Sequence, residues 1–225
     1  MTDLLKKESG DSNSVVCLGQ QHANERARRE YYLSRLAEKL KDPAFRSLEG
    51  FPNSTDDAIL AMSDPPYYTA CPNPFIKDFV EAHGSPYDPS EKRTREPLAV
   101  DVSVGKTDAV YKAHSYHTKV PHLAIVPSIL HYTNPGDIVL DGFSGSGMTG
   151  VAAQWCGAAP AAYRHELETE WKKQGKKPPV WGARRAILND LSPAATFISA
   201  TYNLRFDLEE FVEAGNAIIK SVENE

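Results

Sequence analysis

A chain of 225 residues with 41% apolar and 24% charged side chains has the composition of a globular protein long enough to bury a core. Its net charge of −5 excludes a histone-like coat of basic charge, though a local basic stripe would still serve nucleic acid. Cys17, Cys71 and Cys156 are odd in number, far apart and without CxxC or metal-ligand spacing, so neither a disulfide framework nor a metal site is expected. No apolar run approaches the roughly 18 residues of a membrane span, and the polar N-terminus does not read as a signal peptide. The expectation is a reduced, cytoplasmic protein.

In chain order, residues 1–20 are rich in Ser, Asp, Gly, Asn and Gln and read as a mobile arm. Tyr31, Tyr32, Leu36 and Leu40 give a helical spacing that Pro43 ends, so residues 21–50 form an N-terminal helix and linker. Residues 51–225 are read as the α/β domain. Within it, the run Ala58–Ser63 is expected to be a buried strand running into the Pro-locked loop Asp64-Pro65-Pro66-Tyr67. A helix is expected near Ile76 to Val80, then a long loop over 83–110 carrying the basic cluster Lys92, Arg93 and Arg95. Leu123, Val126, Ile129 and Leu130 read as an amphipathic helix, and Ile138-Val139-Leu140 as a parallel strand buried on both faces. After the glycine loop Gly142 to Gly150 a helix opens at Val151. A polar stretch, 164–179, reads as an insertion or as a helix and loop. Ala186-Ile187-Leu188 is a second strand, Ser192-Pro193 opens a further helix, and Leu208 to Val222 is helical again.

A strand, a glycine loop, a helix and a second strand ending in an acid make a βαβ unit, which binds nucleotide-like ligands at the carboxyl ends of its strands. Gly145-x-Gly147-x-x-Gly150 alone is a weak match to the dinucleotide fingerprint, and a dinucleotide-binding oxidoreductase stands as one alternative. Against it, Asp141 precedes the glycines where a pyrophosphate would be repelled, and Asp190 lies much further on than the roughly 20 residues of that pattern. A ligand with a cationic amino-acid end and a ribose suits both acids, and S-adenosylmethionine has both. Asp141 is assigned to the amino-acid end and Asp190 to the ribose hydroxyls, with glycines allowing close backbone approach. The competing reading makes the two acids caps of the helices that follow them.

In Asp64-Pro65-Pro66-Tyr67, two prolines remove backbone donors and leave carbonyls and the Asp carboxylate as a rigid acceptor set. Such a set suits the exocyclic amine of a flipped base, with Tyr67 stacking on it. Orientation and acceptor placement then supply the rate, because an amine attacking a sulfonium methyl needs no strong base. Cys71 is not needed as a nucleophile. The competing reading of the tetrad is a tight turn.

With these residues in view, the chain resembles the N-4/N-6 amino DNA methyltransferase family over about residues 60 to 210. The resemblance rests on Ser63-Asp64-Pro65-Pro66-Tyr67, on Asp141-Gly142-Phe143-Ser144-Gly145-Ser146-Gly147-Met148-Thr149-Gly150, on His117-Thr118-Lys119-Val120-Pro121, and on Asn189-Asp190-Leu191-Ser192-Pro193. It implies a Rossmann-like doubly wound parallel sheet of the S-adenosylmethionine-dependent type. It also implies S-adenosylmethionine as cofactor, DNA as partner, and methyl transfer to N6 of adenine or N4 of cytosine, as in restriction–modification. Thr118, Lys119, Asp141, Gly142, Phe143, Gly145, Gly147 and Asp190 carry over as cofactor positions, and Asp64, Pro65, Pro66 and Tyr67 as the catalytic clamp.

Two departures qualify the carry-over. The stretch between tetrad and glycine loop is too loop-rich for the remaining strands and a target-recognition domain, and the chain stops soon after the second strand. It is similar to the beginning of larger members that continue into a second Asp-Pro-Pro-(Phe/Tyr) motif. The alternative expectation is therefore an incomplete sheet in a cofactor-binding fragment or subunit, with target recognition on a second polypeptide or a further C-terminal region. His114, His117, His122 and His131 are too irregular for a metal site, and His117 and His122 are expected near the cofactor cleft. Lys172 to Lys177, Arg184 and Arg185 join the basic cluster as candidate phosphate contacts, against a reading as solvated charge.

Overall fold

The computed structural model describes residues 14–86, 88–90 and 95–223; Lys92, Arg93 and the first 13 residues of the expected arm lie outside them. Strands β1 (Val15–Cys17) and β2 (Gln20–His22) pair antiparallel, turning at Leu18 and Gly19, which take φ of 49° and 77°. Part of the stretch read as an arm is thus a hairpin, and it buries Cys17 and His22. Helix α1 (Glu25–Leu40) starts where the Asn24 side chain accepts the Ala27 N–H at 2.8 Å. It buries Arg28, Tyr32, Leu36 and Leu40, a stripe at i, i+4 spacing. Pro43 stands in the first turn of the short helix α2 (Pro43–Arg46).

The strand expected over Ala58–Ser63 is instead helix α3 (Asp56–Ala61). Thr55 caps it by accepting from Ala58, Asp56 and Asp57 favour its N-terminal dipole, and Ile59 alone is buried. A short apolar run has no period that separates helix from strand, so the local cap decides. Helix α4 (Ile76–His83) follows. Cys17, Tyr32, Leu36, Leu40, Phe45, Ile59 and Phe75 form one buried cluster, with Tyr32 edge-on to Phe75 at 5.4 Å. That cluster joins residues on both sides of position 50.

After α5 (Ala109–Lys112), the chain builds α6 (His122–Tyr132), β3 (Ile138–Asp141), α7 (Met148–Ala158), α8 (Ala161–Lys173), β4 (Arg185–Leu188), α9 (Pro193–Asn203) and α10 (Leu208–Glu223). Strands β3 and β4 are parallel, with Ile138 opposite Arg185 and Asp141 opposite Leu188. Helices α6, α7 and α8 supply a second cluster centred on Val126, Leu130, Ala152, Cys156 and Trp171. The described residues therefore contain a parallel β–α–β unit and an N-terminal hairpin, two sheets of two strands each, rather than a complete doubly wound sheet. Leu140, in the middle of an apolar strand, is 71% exposed.

Among the candidate phosphate contacts, Arg184 is corrected: it is 4% exposed and internal. Its guanidinium donates to Thr133 Oγ1, Thr133 O and Gly182 O at 3.0, 2.9 and 2.6 Å, which fixes the entry to β4. Among the described residues no helix is long and apolar enough to cross a membrane.

His122 is fully buried in the first turn of α6, packed against Trp155 at 4.6 Å, with neither ring nitrogen hydrogen-bonded. Burial pushes its pKa below the usual histidine value, opposed by the charge of Asp108. The unfolded chain then binds a proton near pH 6.5 that the folded chain refuses, so stability present above that pH falls as the solution is acidified through it. Melting temperatures between pH 7.5 and 5.5 should show this decline in the wild type and a weaker one in His122→Phe.

Candidate functional site

The two parallel strands end side by side, and backbone bonds extend their pairing into the loops. Asn189 N–H donates to Asp141 O at 2.9 Å, and Ser144 N–H donates to Asn189 O at 2.9 Å. Asp190 completes the link: Oδ2 accepts from Gly145 N–H and Oδ1 from Ser192 N–H, both at 2.9 Å. Asp141 turns its carboxylate onto its own loop, accepting from Phe143 N–H at 3.1 Å and from the Thr149 hydroxyl at 2.6 Å. The residue capping α7 is Gly147 and the one capping α9 is Ser192, so the two acids are not the helix caps of the competing reading. A carboxylate has about four lone-pair positions, and each acid keeps some unfilled by these bonds.

The glycines divide by function. Gly147 has φ of 80°, and a Cβ there would lie 2.2 Å from Ser199 Oγ; one on Gly150 would lie 2.3 Å from Asn203 Oδ1. Both are required by the close approach of α9, not by open space for a ligand. Gly145, with φ of 51°, makes the left-handed turn under Tyr116, while Gly142 faces open space.

A cavity of about 280 Å³ opens beside this loop. Of the expected cofactor positions, Thr118, Lys119, Asp141, Phe143 and Gly145 line it; Gly142, Gly147 and Asp190 do not. The sequence reading missed Tyr116, Ser144, Ser146, Met148 and Thr149, which also line it. Ser144 Oγ and Ser146 Oγ are buried without any hydrogen-bond partner, and Ser146 is 2% exposed. Small hydroxyl residues interleaved with glycines were the available signal. The Lys119 ammonium donates to His114 O and lies 4.8 Å above the Tyr111 ring, and burial lowers its pKa. Phe143 and Leu191, 87% and 81% exposed, follow the two strand ends.

The tetrad does not line this cavity. It is a turn after α3, in which Asp64 N–H donates to Tyr68 O at 2.9 Å and Tyr68 N–H returns a bond to Asp64 O at 3.0 Å. Pro66 O accepts from Asn73 Nδ2 at 2.9 Å. Arg28, from the buried stripe of α1, donates through Nη1 to Pro65 O at 2.5 Å and through Nη2 to Asp64 Oδ1 at 2.9 Å. Its guanidinium carbon lies 4.8 Å over the Tyr67 ring. Burial pushes the Tyr67 pKa up, as does the neighbouring Cys17 side chain. Burial pushes the pKa of the next residue, Tyr68, up, opposed by the neighbouring Thr196 of α9. Burial also pushes the Cys71 thiol up to about 11, which keeps it protonated at neutral pH.

Set against known proteins, residues 20–159 match a family model described as DNA methylase, of the N6/N4 type, and the chain belongs to that family. The matched range takes in the tetrad, the cavity and α7, and stops before β4 and Asp190. No curated protein and no solved structure matches the chain.

Gly147→Ala combines a left-handed backbone with a clash against α9 and is expected to cost about 2 kcal/mol or more of stability. Gly142→Ala, in open space, is expected to stay within about 1 kcal/mol of the wild type. Urea denaturation of the two variants measures the contrast.

Proposed function

We propose that this chain binds S-adenosylmethionine in the cavity beside β3 and β4 and serves methyl transfer to an exocyclic amine of DNA, N6 of adenine or N4 of cytosine. The observation that carries the reading is the cavity itself. It gathers Asp141 with the unpartnered hydroxyls of Ser144 and Ser146 at the carboxyl ends of two parallel strands, in a chain of the DNA methylase family. Unpartnered buried hydroxyls are costly unless a ligand completes them, and an amino-acid group can do so.

The donor set fits the cofactor. Asp141 supplies negative charge for an ammonium, Ser144 and Ser146 supply hydroxyls for a carboxylate, and Phe143 presents an apolar face at the cavity edge. Asp190 has lone pairs for ribose hydroxyls while it keeps the loop fixed through Gly145. The volume, about 280 Å³, is near the roughly 300 Å³ lower end of small-molecule sites. When bound, S-adenosylmethionine supplies an electrophilic methyl group on a sulfonium sulfur. The protein's contribution is to hold the reacting groups in line and to place acceptors on the amine hydrogens.

A second reading has its own support: the chain acts as the cofactor-binding part of a larger DNA methylase, with further strands and target recognition supplied by another polypeptide or region. The exposure of Leu140 on β3 favours it, because parallel strands are ordinarily covered on both faces.

Titration calorimetry with S-adenosylmethionine is the test. Wild-type chain should bind, and Asp141→Ala should weaken binding about tenfold or more. Absence of binding by the wild type contradicts the cofactor reading, and binding of NAD instead would support the dinucleotide alternative. Transfer of labelled methyl from cofactor to DNA by the isolated chain would contradict the second reading.

A further inference from the structure

Helix α10 (Leu208–Glu223) is apolar along one side, yet among the described residues none of its side chains is buried. Leu208, Phe211, Val212, Ile218, Ile219 and Val222 are between 46% and 67% exposed. At about 3.6 residues per turn, these six and Gly215 fall within an arc of about 120° that has Gly215 at its middle. Phe206, just before the helix, lies 5.7 Å from the Phe211 ring and extends the stripe. A helix of this length takes most of its stability from packing such a face, so the face needs an occupant. Gly215 points the same way. A Cβ there would meet nothing within 4 Å, so its own chain does not require glycine, and glycine weakens a helix interior relative to alanine. Its use is the close approach of another helix, whose distance is set by the side chains at the crossing.

We propose that α10 is a self-association surface: a second copy of this chain docks its own α10 antiparallel on the first, and the two helices cross at Gly215. The arrangement of the stripe selects this occupant. Leu208 and Val222 stand seven residues either side of Gly215, Phe211 and Ile219 four, and Val212 and Ile218 three. A two-fold axis at Gly215 therefore brings Leu208 level with Val222 of the second copy, Phe211 with Ile219 and Val212 with Ile218. A two-fold interface requires one patch complementary to itself, and an unrelated partner would need no such symmetry. Charge selects the antiparallel sense. Glu209, Glu210 and Glu213 lie before Gly215 and Lys220 after it, so a parallel pair gathers the acids of both copies at one end, while an antiparallel pair sets them beside the half that carries Lys220. One helix face gives an interface at the small end, about 1,000 Å² in total, so the pair is expected to dissociate on dilution. The surface lies outside the cavity and does not depend on the proposed cofactor.

The test is sedimentation velocity of the full chain from about 5 to about 200 μM. The wild type should show a dimer that grows with concentration, and a monomer throughout the range overturns the proposal and leaves the face to a different polypeptide. Ile218→Glu places a charge in the stripe at a side chain that is 66% exposed, so the dimer should be lost without loss of the fold. A dimer that survives this change forms on another surface and overturns the proposal. Gly215→Leu favours the isolated helix but blocks the crossing, so it should lose the dimer without losing helix content. A dimer of unchanged strength in this variant overturns the crossing at Gly215. Disulfide trapping reads the orientation. In a Cys71→Ser background, Leu208→Cys and Val222→Cys chains should link when mixed and not when oxidised separately. Linkage within either variant alone overturns the antiparallel arrangement.

Discussion

The cavity depends on one hydrogen bond across the ends of the two parallel strands, from Gly145 N–H to the Asp190 carboxylate. Asp190 belongs to the segment after β4, and Gly145 to the loop after β3. Their bond, together with Ser144 N–H to Asn189 O, prevents the glycine loop from folding outward and closes the floor against which Asp141, Ser144 and Ser146 are arranged. The same loop is pinned from behind by α9, whose Asn203 donates to Gly147 O at 3.0 Å and whose Ser199 leaves no room for a side chain at Gly147. Loop anchorage is the task that the 2.9 Å bonds of Asp190 define, and ligand recognition is the proposed second one. Removing such a carboxylate affects both, so a binding loss at Asp190 taken alone does not distinguish them. Asp141 lines the cavity directly and is the cleaner probe.

The N-terminal part has an analogous centre in Arg28. A cation in the buried stripe of a helix is costly unless partnered, and here Asp64, Glu25 and the Pro65 carbonyl take bonds from its two Nη atoms while Nε has no partner. Thr196 of α9, the helix that also backs the glycine loop, neighbours Tyr68 of the same turn. The tetrad does not line the cavity of the parallel unit.

Much of the parallel unit was legible in the sequence. Ile138-Val139-Leu140 and Ala186-Ile187-Leu188 are short apolar runs bounded by turn residues and acids, and they are β3 and β4. Ser192-Pro193 marks the start of α9. The N-terminal part was less legible because its decisive contacts are long-range. Nothing near Ala58 reveals that Thr55 caps a helix there, and the hairpin at Val15–His22 depends on burying Cys17 and His22 against α1, not on a strand-like composition. Five of the cofactor positions named from the sequence line one cavity. Ser144 and Ser146, part of the loop motif, have no role assigned from the sequence because their importance lies in the absence of partners, which only packing reveals. The tetrad drew attention for its acceptors, but the residue that engages them stands in α1, far away in sequence.

The central claim is that a ligand site lies at the joined ends of β3 and β4, with the tetrad outside it. Hydrogen–deuterium exchange of the chain with and without S-adenosylmethionine tests it most directly. The account predicts slower exchange over Gly142 to Gly147 and Asn189 to Ser192, with no change over Ser63 to Tyr68. Protection confined to Ser63 to Tyr68, with the glycine loop unaffected, would contradict it.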